Sequence, residues 1–459
     1  MKKYLIIVLF ITNLFSSAIT TISSKNIDTL SSLDIETEFI KDKITTQLYN
    51  SYLKRKKRYF LNILENGYSY IPLIKNEIQK AKIPSNLVFV AMAESYFSTK
   101  AKSNKKAIGL WQFIPQTARI FGLKINQYVD ERKDPIKSTI AAIKYLTYLK
   151  QKTGKWYLAI MAYNCGEARI IEAKTRAKLD KYCKNNLCKK DKTIRKYRKT
   201  IKDYQRKKAS FAKLYRVYQK VNKLYPQSLT LNDMLRFQPR LSRQYLPKET
   251  RKYIRKIVAM NFLLDSIQFV EYQNHYLLNR GSISDLVKVN VPPGTSLRDI
   301  ASLLKVDYSM LKRNNIHLKY GFTPPKEDSY IYIPYAKLAD FRLNFQNRKI
   351  ARKIIYKVKK GDTLSSIAHK FKIKYGVIKD FNNLHSNLLS INQKLVIPIK
   401  PNLKIRKNIV YKVKSGDNLK FLAKKFHTTH LQIKKLNNLK NDMIYINQKL
   451  TIPTFITIK

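Results

Sequence analysis

Residues 83–123 read IPSNLVFVAMAESYFSTKAKSNKKAIGLWQFIPQTARIFGL, and this stretch decides how the first half of the chain is understood. Pro84 and Ser85 are helix-start residues. Leu87, Val90, Ala91 and Glu94 then recur at i, i+3, i+4 and i+7, the spacing of one helix face. A carboxylate on an apolar stripe is conspicuous, because burial disfavours its charged form and raises its pKa. A Glu that keeps its proton near neutral pH can donate it to a leaving oxygen. Periodicity alone slightly favours a blander alternative, a Glu at the helix end that turns into solvent or satisfies a neighbour.

Other segments bear on that choice. The run AIGLWQF places Gly109, Trp111 and Gln112 in a loop that enters a helix. Gly permits close approach of backbone to a ligand. Trp offers a face for a sugar ring, and the Gln amide both donates and accepts. Further on, WYLAIMAYNCGEARI puts Tyr163 and Asn164 at the end of an apolar helix, before Gly166. Uncharged polar groups of this kind suit acetamido and hydroxyl recognition, although each taken singly fits packing or capping better. A helix read over Leu246–Ala259, beginning LPKETRKYI, closes the domain. Between them, residues 172–240 are rich in Lys, Arg and Tyr and read as an amphipathic helical insertion.

Beyond residue 285 the chain becomes a repeat. YKVKKGDTLSSIAHKFKI from Tyr356 matches YKVKSGDNLKFLAKKFHT from Tyr411, and each copy ends alike, INQKLVIP at Pro398 and INQKLTIP at Pro453, at a constant offset of 55 residues. A divergent copy starts at Val287, VKVNVPPGTSLRDIASLLKV, and closes with YIYIP at Pro334. Tyr356 and Val358 alternate into Gly361 as a short strand and turn. Asp362 or Thr363 can cap the helix that follows. Leu364, Ile367, Ala368 and Phe371 form one apolar stripe, repeated as Leu419, Leu422, Ala423 and Phe426 and as Leu297, Ile300, Ala301 and Leu304. With a second helix and a closing strand, each copy is a βααβ unit with a modest core. No acid/base pair lies inside it, so its inferred role is binding.

Composition sets the outer bounds. The 459 residues allow two to four domains, and 44% hydrophobic content is that of ordinary globular protein. The 91 Lys+Arg against 30 Asp+Glu give a formal charge of +61, which draws acidic polymers of any kind without choosing among them. Lys2 and Lys3, the apolar run Tyr4–Phe15 and the small residues Ser16-Ser17-Ala18 have the order of a secretory signal peptide. The run is short for a membrane span, and no Cys follows it for lipid attachment. Export favours a cell-wall or membrane partner over nucleic acid. After export, Cys183 and Cys188 can pair, whereas neither the three Cys nor the six scattered His have metal-site spacing. The expectation is no metal and no cofactor.

The repeats resemble lysin motif (LysM) domains, which as a family bind N-acetylglucosamine-containing glycans. The divergent copy departs from them in having Gly294-Thr295 where the others have Gly-Asp. Four blocks, ESYFSTKAKSNKKAIGLWQFIPQTA, YVDERKDPIKSTIAAIKYL, WYLAIMAYNCGEARI and LPKETRKYI, resemble in content and order the lytic murein transglycosylase family, most closely the membrane-bound type D members. That resemblance implies a mainly α, lysozyme-like catalytic domain followed by small α+β LysM modules. It makes Glu94 the catalytic acid/base and sets Ser103, Gln112, Tyr163 and Asn164, with Tyr253 as a weaker candidate, along the glycan cleft. It also implies a non-hydrolytic cut between N-acetylmuramic acid and N-acetylglucosamine, leaving 1,6-anhydromuramic ends. The long basic insertion, Cys165 and the missing lipid-attachment Cys depart from the family pattern.

The expected organisation is a signal peptide over 1–18, a helical region over 19–80 and the catalytic domain over 81–265. The three repeats follow at 285–335, 354–399 and 409–454. The expected setting is the periplasm or cell envelope. Peptidoglycan strands are the partner, with an acidic membrane surface a further partner for the insertion and no specific nucleic acid. Two rival readings stay open, an inactive peptidoglycan-binding scaffold and a lysozyme-type hydrolase.

Overall fold

The computed structural model describes residues 24–184, 188, 190–239, 241, 243–265, 285–345, 353–398 and 403–458. The signal-peptide reading of residues 1–18 lies outside them. The chain forms two units, one built from residues up to 124 together with 131–284, the other from 125–130 together with 285–459.

The first unit is helical. Its helices are α1 (Ser24–Ser32), α2 (Lys43–Asn50), α3 (Lys57–Gly67), α4 (Ile71–Lys80), α5 (Val88–Ser95), α6 (Pro115–Ile120), α7 (Pro135–Thr153), α8 (Trp156–Cys165), α9 (Glu167–Tyr182), α10 (Lys192–Gln205), α11 (Phe211–Leu224), α12 (Leu231–Leu235) and α13 (Lys248–Asp265). Two of them, α5 and α8, are apolar on every side. Val88, Phe89, Val90, Ala91 and Met92 are all buried in α5, and Tyr157 through Ala162 are all buried in α8. Such helices belong at the centre of a helical domain. The long α13 packs against α1, α2, α5 and α8. It is pinned to α2 where Arg255 forks onto Asp42, with Nε and the terminal nitrogen each 2.9 Å from a carboxylate oxygen. Asp42 also caps α2 by accepting from the Thr45 N–H at 2.8 Å. Helix α7 starts in the same way, with Asp134 accepting from Ile136 and Lys137 N–H, and ends at Gly154, whose φ of +93° suits a residue without Cβ.

The basic insertion is amphipathic, as its sequence predicts. Ile194 and Ile201 of α10 and Leu214, Val217, Tyr218 and Val221 of α11 pack on Ile171 and Leu179 of α9. Beneath them lies fully buried Glu172, held by Arg169 at 2.5 Å, Arg243 at 2.6 Å, Arg176 at 3.3 Å and Gln205 at 2.6 Å. Burial pushes that carboxyl up, but Arg243, Arg169 and Gln205 outweigh burial and hold it below the ordinary range. Cys183 and Cys188 form a disulfide at the end of α9.

The second unit contains three βααβ motifs, each with a two-stranded antiparallel sheet. The first is β1 (Leu286–Val291), α14 (Leu297–Leu303), α15 (Tyr308–Asn314) and β2 (Ser329–Pro334), with an added helix α16 (Leu338–Asn344). The second is β3 (Lys353–Lys357), α17 (Leu364–Lys370), α18 (Tyr375–Asn382) and β4 (Lys394–Pro398). The third is β5 (Leu403–Lys412), α19 (Leu419–Lys425), α20 (His430–Asn437) and β6 (Lys449–Ile458). The stripes read from the sequence are inside: Leu364, Ile367, Ala368 and Phe371 are each no more than 3% exposed.

Thr363 is the cap of α17, in a reciprocal pair with Ser366. Asp362 accepts instead from the Tyr356 hydroxyl at 2.8 Å and the Lys359 N–H at 2.8 Å. The third motif repeats this, with Asn418 as cap and Asp417 accepting from Tyr411 and Lys414. In the first, where Thr replaces that Asp, the turn is closed by Thr295 N–H donating to the Thr323 hydroxyl at 2.8 Å.

All three motifs share a clamp that sequence reading overlooked. Asn315, Asn382 and Asn437, at the end of the second helix, each donate to and accept from one residue of the closing strand, Tyr332, Val396 and Thr451 respectively. Residues 125–130 also belong to this unit, where Gln127 and the Tyr128 hydroxyl donate to Asp380 at 2.6 and 2.8 Å.

Candidate active site

Glu94 stands in the last turn of α5, where Val88 to Met92 and Ser95 are buried. The helix ends abruptly because Tyr96 and Phe97 both adopt left-handed backbone, φ +53° and +58°. For residues with a Cβ this costs of order 1–3 kcal/mol each and persists only where the surroundings over-determine it. Phe97 does so on one side. It is 1% exposed and packs so tightly on Gly67 of α3 that a Cβ there would lie 2.5 Å from its ring. Next to Glu94, the buried Ser95 hydroxyl donates to the Leu110 carbonyl at 2.8 Å, tying α5 to the GLWQ loop.

The residue as a whole keeps some exposure, but the carboxyl is enclosed, and burial pushes its pKa up to about 7. Tyr253 of α13 donates to Glu94 Oε1 at 2.6 Å, which works the other way. A hydrogen bond to a charged group contributes about 1.5–3 kcal/mol, so burial wins by outweighing it. Lys256 also lowers the proton affinity of Glu94, and Glu249 raises it. Tyr253 and Tyr163 are themselves enclosed, and burial followed by the Glu94 charge holds both phenols well above their ordinary range.

The Tyr163 hydroxyl donates to the Trp111 carbonyl at 2.7 Å. Its ring stands edge-on to Phe113, with centroids 6.2 Å apart. The Asn164 carbonyl accepts from the Thr250 hydroxyl of α13 at 2.7 Å, leaving its amide N–H groups as donors.

Gln112 adopts φ +48° and donates to the Ala101 and Gly109 carbonyls. Ser103 accepts from the Ala107 N–H at 3.2 Å and closes the turn before it. Both therefore brace the loop over residues 101–113, while Glu94, Tyr253 and Tyr163 form the electrostatically linked centre.

Two expectations are corrected. Trp111 is fully buried and donates to the Thr139 hydroxyl at 2.9 Å, so it is core and offers no face to a sugar. Gly109 is needed for close approach to protein, since a Cβ there would lie 1.9 Å from the Arg132 carbonyl. Asp134 and Glu131 are structural: Asp134 caps α7, and Glu131 accepts from the Lys124 N–H at 2.7 Å. Sequence reading missed Glu249, Thr250 and Lys256. The signal was present, because Glu249, Tyr253 and Lys256 fall at i, i+4 and i+7 on α13 and so share a face with the phenol that meets Glu94.

Residues 72–186 match the Transglycosylase SLT domain, residues 285–347 the LysM-like domain of lytic transglycosylase MltD, and residues 356–398 and 411–453 the LysM domain. The chain is a lytic transglycosylase with LysM modules. Among individual proteins it is similar to membrane-bound lytic murein transglycosylase D of Escherichia coli (strain K12), 24% identical over 389 residues that cover 81% of this chain and 73% of that one. A putative tributyltin chloride resistance protein of Alteromonas sp. (strain M-1) is 41% identical over 105 residues, 23% of this chain and 51% of that one. The probable peptidoglycan endopeptidase LytE of Bacillus subtilis (strain 168) is 38% identical over 105 residues, 21% of this chain and 31% of that one.

Proposed function

We propose that Glu94 is the single acid/base of a peptidoglycan lytic transglycosylase that cuts the β-1,4 bond between N-acetylmuramic acid and N-acetylglucosamine. The observation that carries this is an enclosed carboxyl whose proton is retained to about pH 7 and whose oxygen is oriented by the Tyr253 hydroxyl. In the first step the Glu94 proton passes to the glycosidic oxygen as the bond from the muramic anomeric carbon breaks. In the second, the Glu94 carboxylate takes the proton of the muramic C6 hydroxyl while that oxygen bonds to the anomeric carbon. The proton count balances and no water is consumed. The Asn164 amide N–H groups are suited to the substrate acetamido oxygen, which stabilises the positive charge between the steps. Gln112 and Ser103 support this site by fixing the loop beside it.

One observation favours a second reading. Glu249 acts electrostatically on Glu94, and a hydrolase needs a second carboxylate to activate water or act as nucleophile. Mass spectrometry of sacculi digested by the chain separates the two. We expect 1,6-anhydromuramic ends, none with Glu94→Gln, and the same ends with Glu249→Gln. Reducing-end muramic acid, lost in Glu249→Gln, overturns the transglycosylase mechanism. Sacculus binding without release by either the native chain or Glu94→Gln leaves a scaffold.

The LysM motifs hold the glycan while the helical unit cuts, which sets the enzyme in the cell envelope after export through the N-terminal segment. The outer faces of α10 and α11, where Lys192, Arg195, Lys196, Lys199, Lys213 and Lys220 project, suit an acidic membrane surface. Among the described residues no helix is long and apolar enough to cross a membrane. Through these basic faces the chain should bind anionic vesicles at low salt, and deletion of residues 175–238 should weaken that binding.

A further inference from the structure

The turn that ends α5 is over-determined on one side by Phe97 against Gly67. Its other side is held by a cluster to which the mechanism above assigns no task. Lys256 Nζ lies 3.1 Å from the Tyr96 hydroxyl and 3.4 Å from the Ala93 carbonyl, and it sits over the Tyr96 ring at 4.3 Å from the centroid. Tyr59 of α3 meets Tyr96 edge-on, with centroids 5.8 Å apart. Ala93 and Tyr96 bracket Glu94 in the chain, so one ammonium grips the backbone before the carboxylate and the strained residue after it. The Ala93 carbonyl lies in the last turn of α5, where carbonyls lack helical partners and a cation is favoured.

We propose that Lys256 is a positioning residue for the reaction, a latch that fixes the left-handed turn at Tyr96 and so aims the Glu94 carboxyl. This rests on the reading of Glu94 as the acid/base.

The same ammonium has an electrostatic consequence. The charged and titratable groups acting on Glu94 are Tyr253, Lys256 and Glu249 from α13 and Tyr163 from α8. Tyr96 and Tyr59 stand on the far side of the latch, with Lys56 adding positive charge near Tyr96. Lys256 is the cation among those acting on Glu94, and it lowers the proton affinity of that carboxyl. Removing its charge raises that affinity and moves the alkaline limit of activity upward, even as turnover falls because the carboxyl is no longer aimed.

The test uses the full chain and insoluble sacculi, with turnover and half-saturation of muropeptide release read across pH 5–9. Lys256→Met should lower turnover about tenfold or more with half-saturation nearly unchanged, and should shift the alkaline limb upward by up to about one pH unit. Lys256→Arg should restore both most of the turnover and the position of the limb. Tyr96→Phe keeps the ring under the ammonium but removes the hydroxyl, and should lower turnover about threefold without moving the limb. Thermal melting checks that each variant is folded. Native turnover and a native limb in Lys256→Met overturn the proposal. If that variant does not fold, native turnover in Tyr96→Phe overturns it. Activity retained in Glu94→Gln is a different result, which removes the reading of Glu94 and not merely the latch.

Discussion

Helices α5 and α17 are both short, and both carry an apolar series beginning at i, i+3, i+4, yet they are different objects. In α17 the series Leu364, Ile367 and Ala368 is buried while Ser365, Ser366, His369 and Lys370 face solvent. In α5 every residue from Val88 to Met92 is buried whatever its phase, and Glu94 is enclosed with them. A periodic stripe tells which side faces the core only when one side is wet. The repeat helix is therefore held by its own motif, whereas the site helix is held by α13, α4 and the loop over residues 101–113. What encloses Glu94 and sets its proton affinity comes from those neighbours and not from α5.

The strongest test of this contrast is to put a charge on each helix. Ala91→Asp should unfold the first unit, costing more than about 4 kcal/mol, because an unpaired carboxylate enters a dry core. Ser365→Asp, on the open face of α17, should change stability by less than about 0.5 kcal/mol. Chemical denaturation followed by circular dichroism reads both, and equal effects would break the comparison.

Tyr253→Phe tests the neighbour that matters most to the site. Loss of its hydroxyl should cut muropeptide release by about 10- to 100-fold. Glu94 should then hold its proton above pH 7, since Tyr253 lowers its pKa, and the alkaline limb of the rate profile should move up. A limb that stays put would remove Tyr253 from the control of Glu94.

Burial of Glu94 should also be visible as instability. Its pKa is raised in the folded state, so the native state binds this proton more tightly than the unfolded chain does. The associated stability is fully present below the ordinary Glu range near 4.5 and is lost as pH rises through about 7. Glu94→Gln carries no charge and avoids that loss. It should raise the stability of the first unit by about 2 kcal/mol at pH 8, once partial solvent exposure is allowed for, and by almost nothing at pH 4. Melting curves at the two pH values check the sign.

The smallest effect sharpens the other side of the comparison. Thr363→Ala and Asn418→Ala remove equivalent caps from α17 and α19 and should each cost about 1 kcal/mol. Both should leave hydrolysis-free release of soluble glycan fragments by the first unit unchanged.

The sequence by itself determined the two kinds of architecture and singled out Glu94 as a carboxylate on an apolar stripe. The βααβ motifs were legible because each is solved locally: a strand, a Gly turn, a capped amphipathic helix and a return strand all lie within about 45 residues, and two copies repeat the pattern at a fixed offset. The amphipathic character of α10 and α11 was legible for the same reason. Glu94 stood out because a carboxylate in an apolar run is costly wherever it lies.

Only tertiary structure decided what surrounds it. Tyr253, Lys256 and Glu249 lie more than 150 residues beyond Glu94, and Thr250 lies 86 residues beyond Asn164; they reach these partners because α13 packs on α5 and α8. Trp111 looked like a sugar platform because a loop aromatic beside Gly and Gln suits one. It is core because it is enclosed on all sides and its indole N–H finds the Thr139 hydroxyl of α7, a partner that only packing brings to it. The Asn clamps of the repeats went unseen because an Asn at a helix end reads as an ordinary stop signal, and its bond to the closing strand exists only once the strand has returned. Local pattern is set by backbone geometry over a few residues. The protonation of the Glu94 carboxyl is set by burial and by groups that only packing brings within a few ångströms.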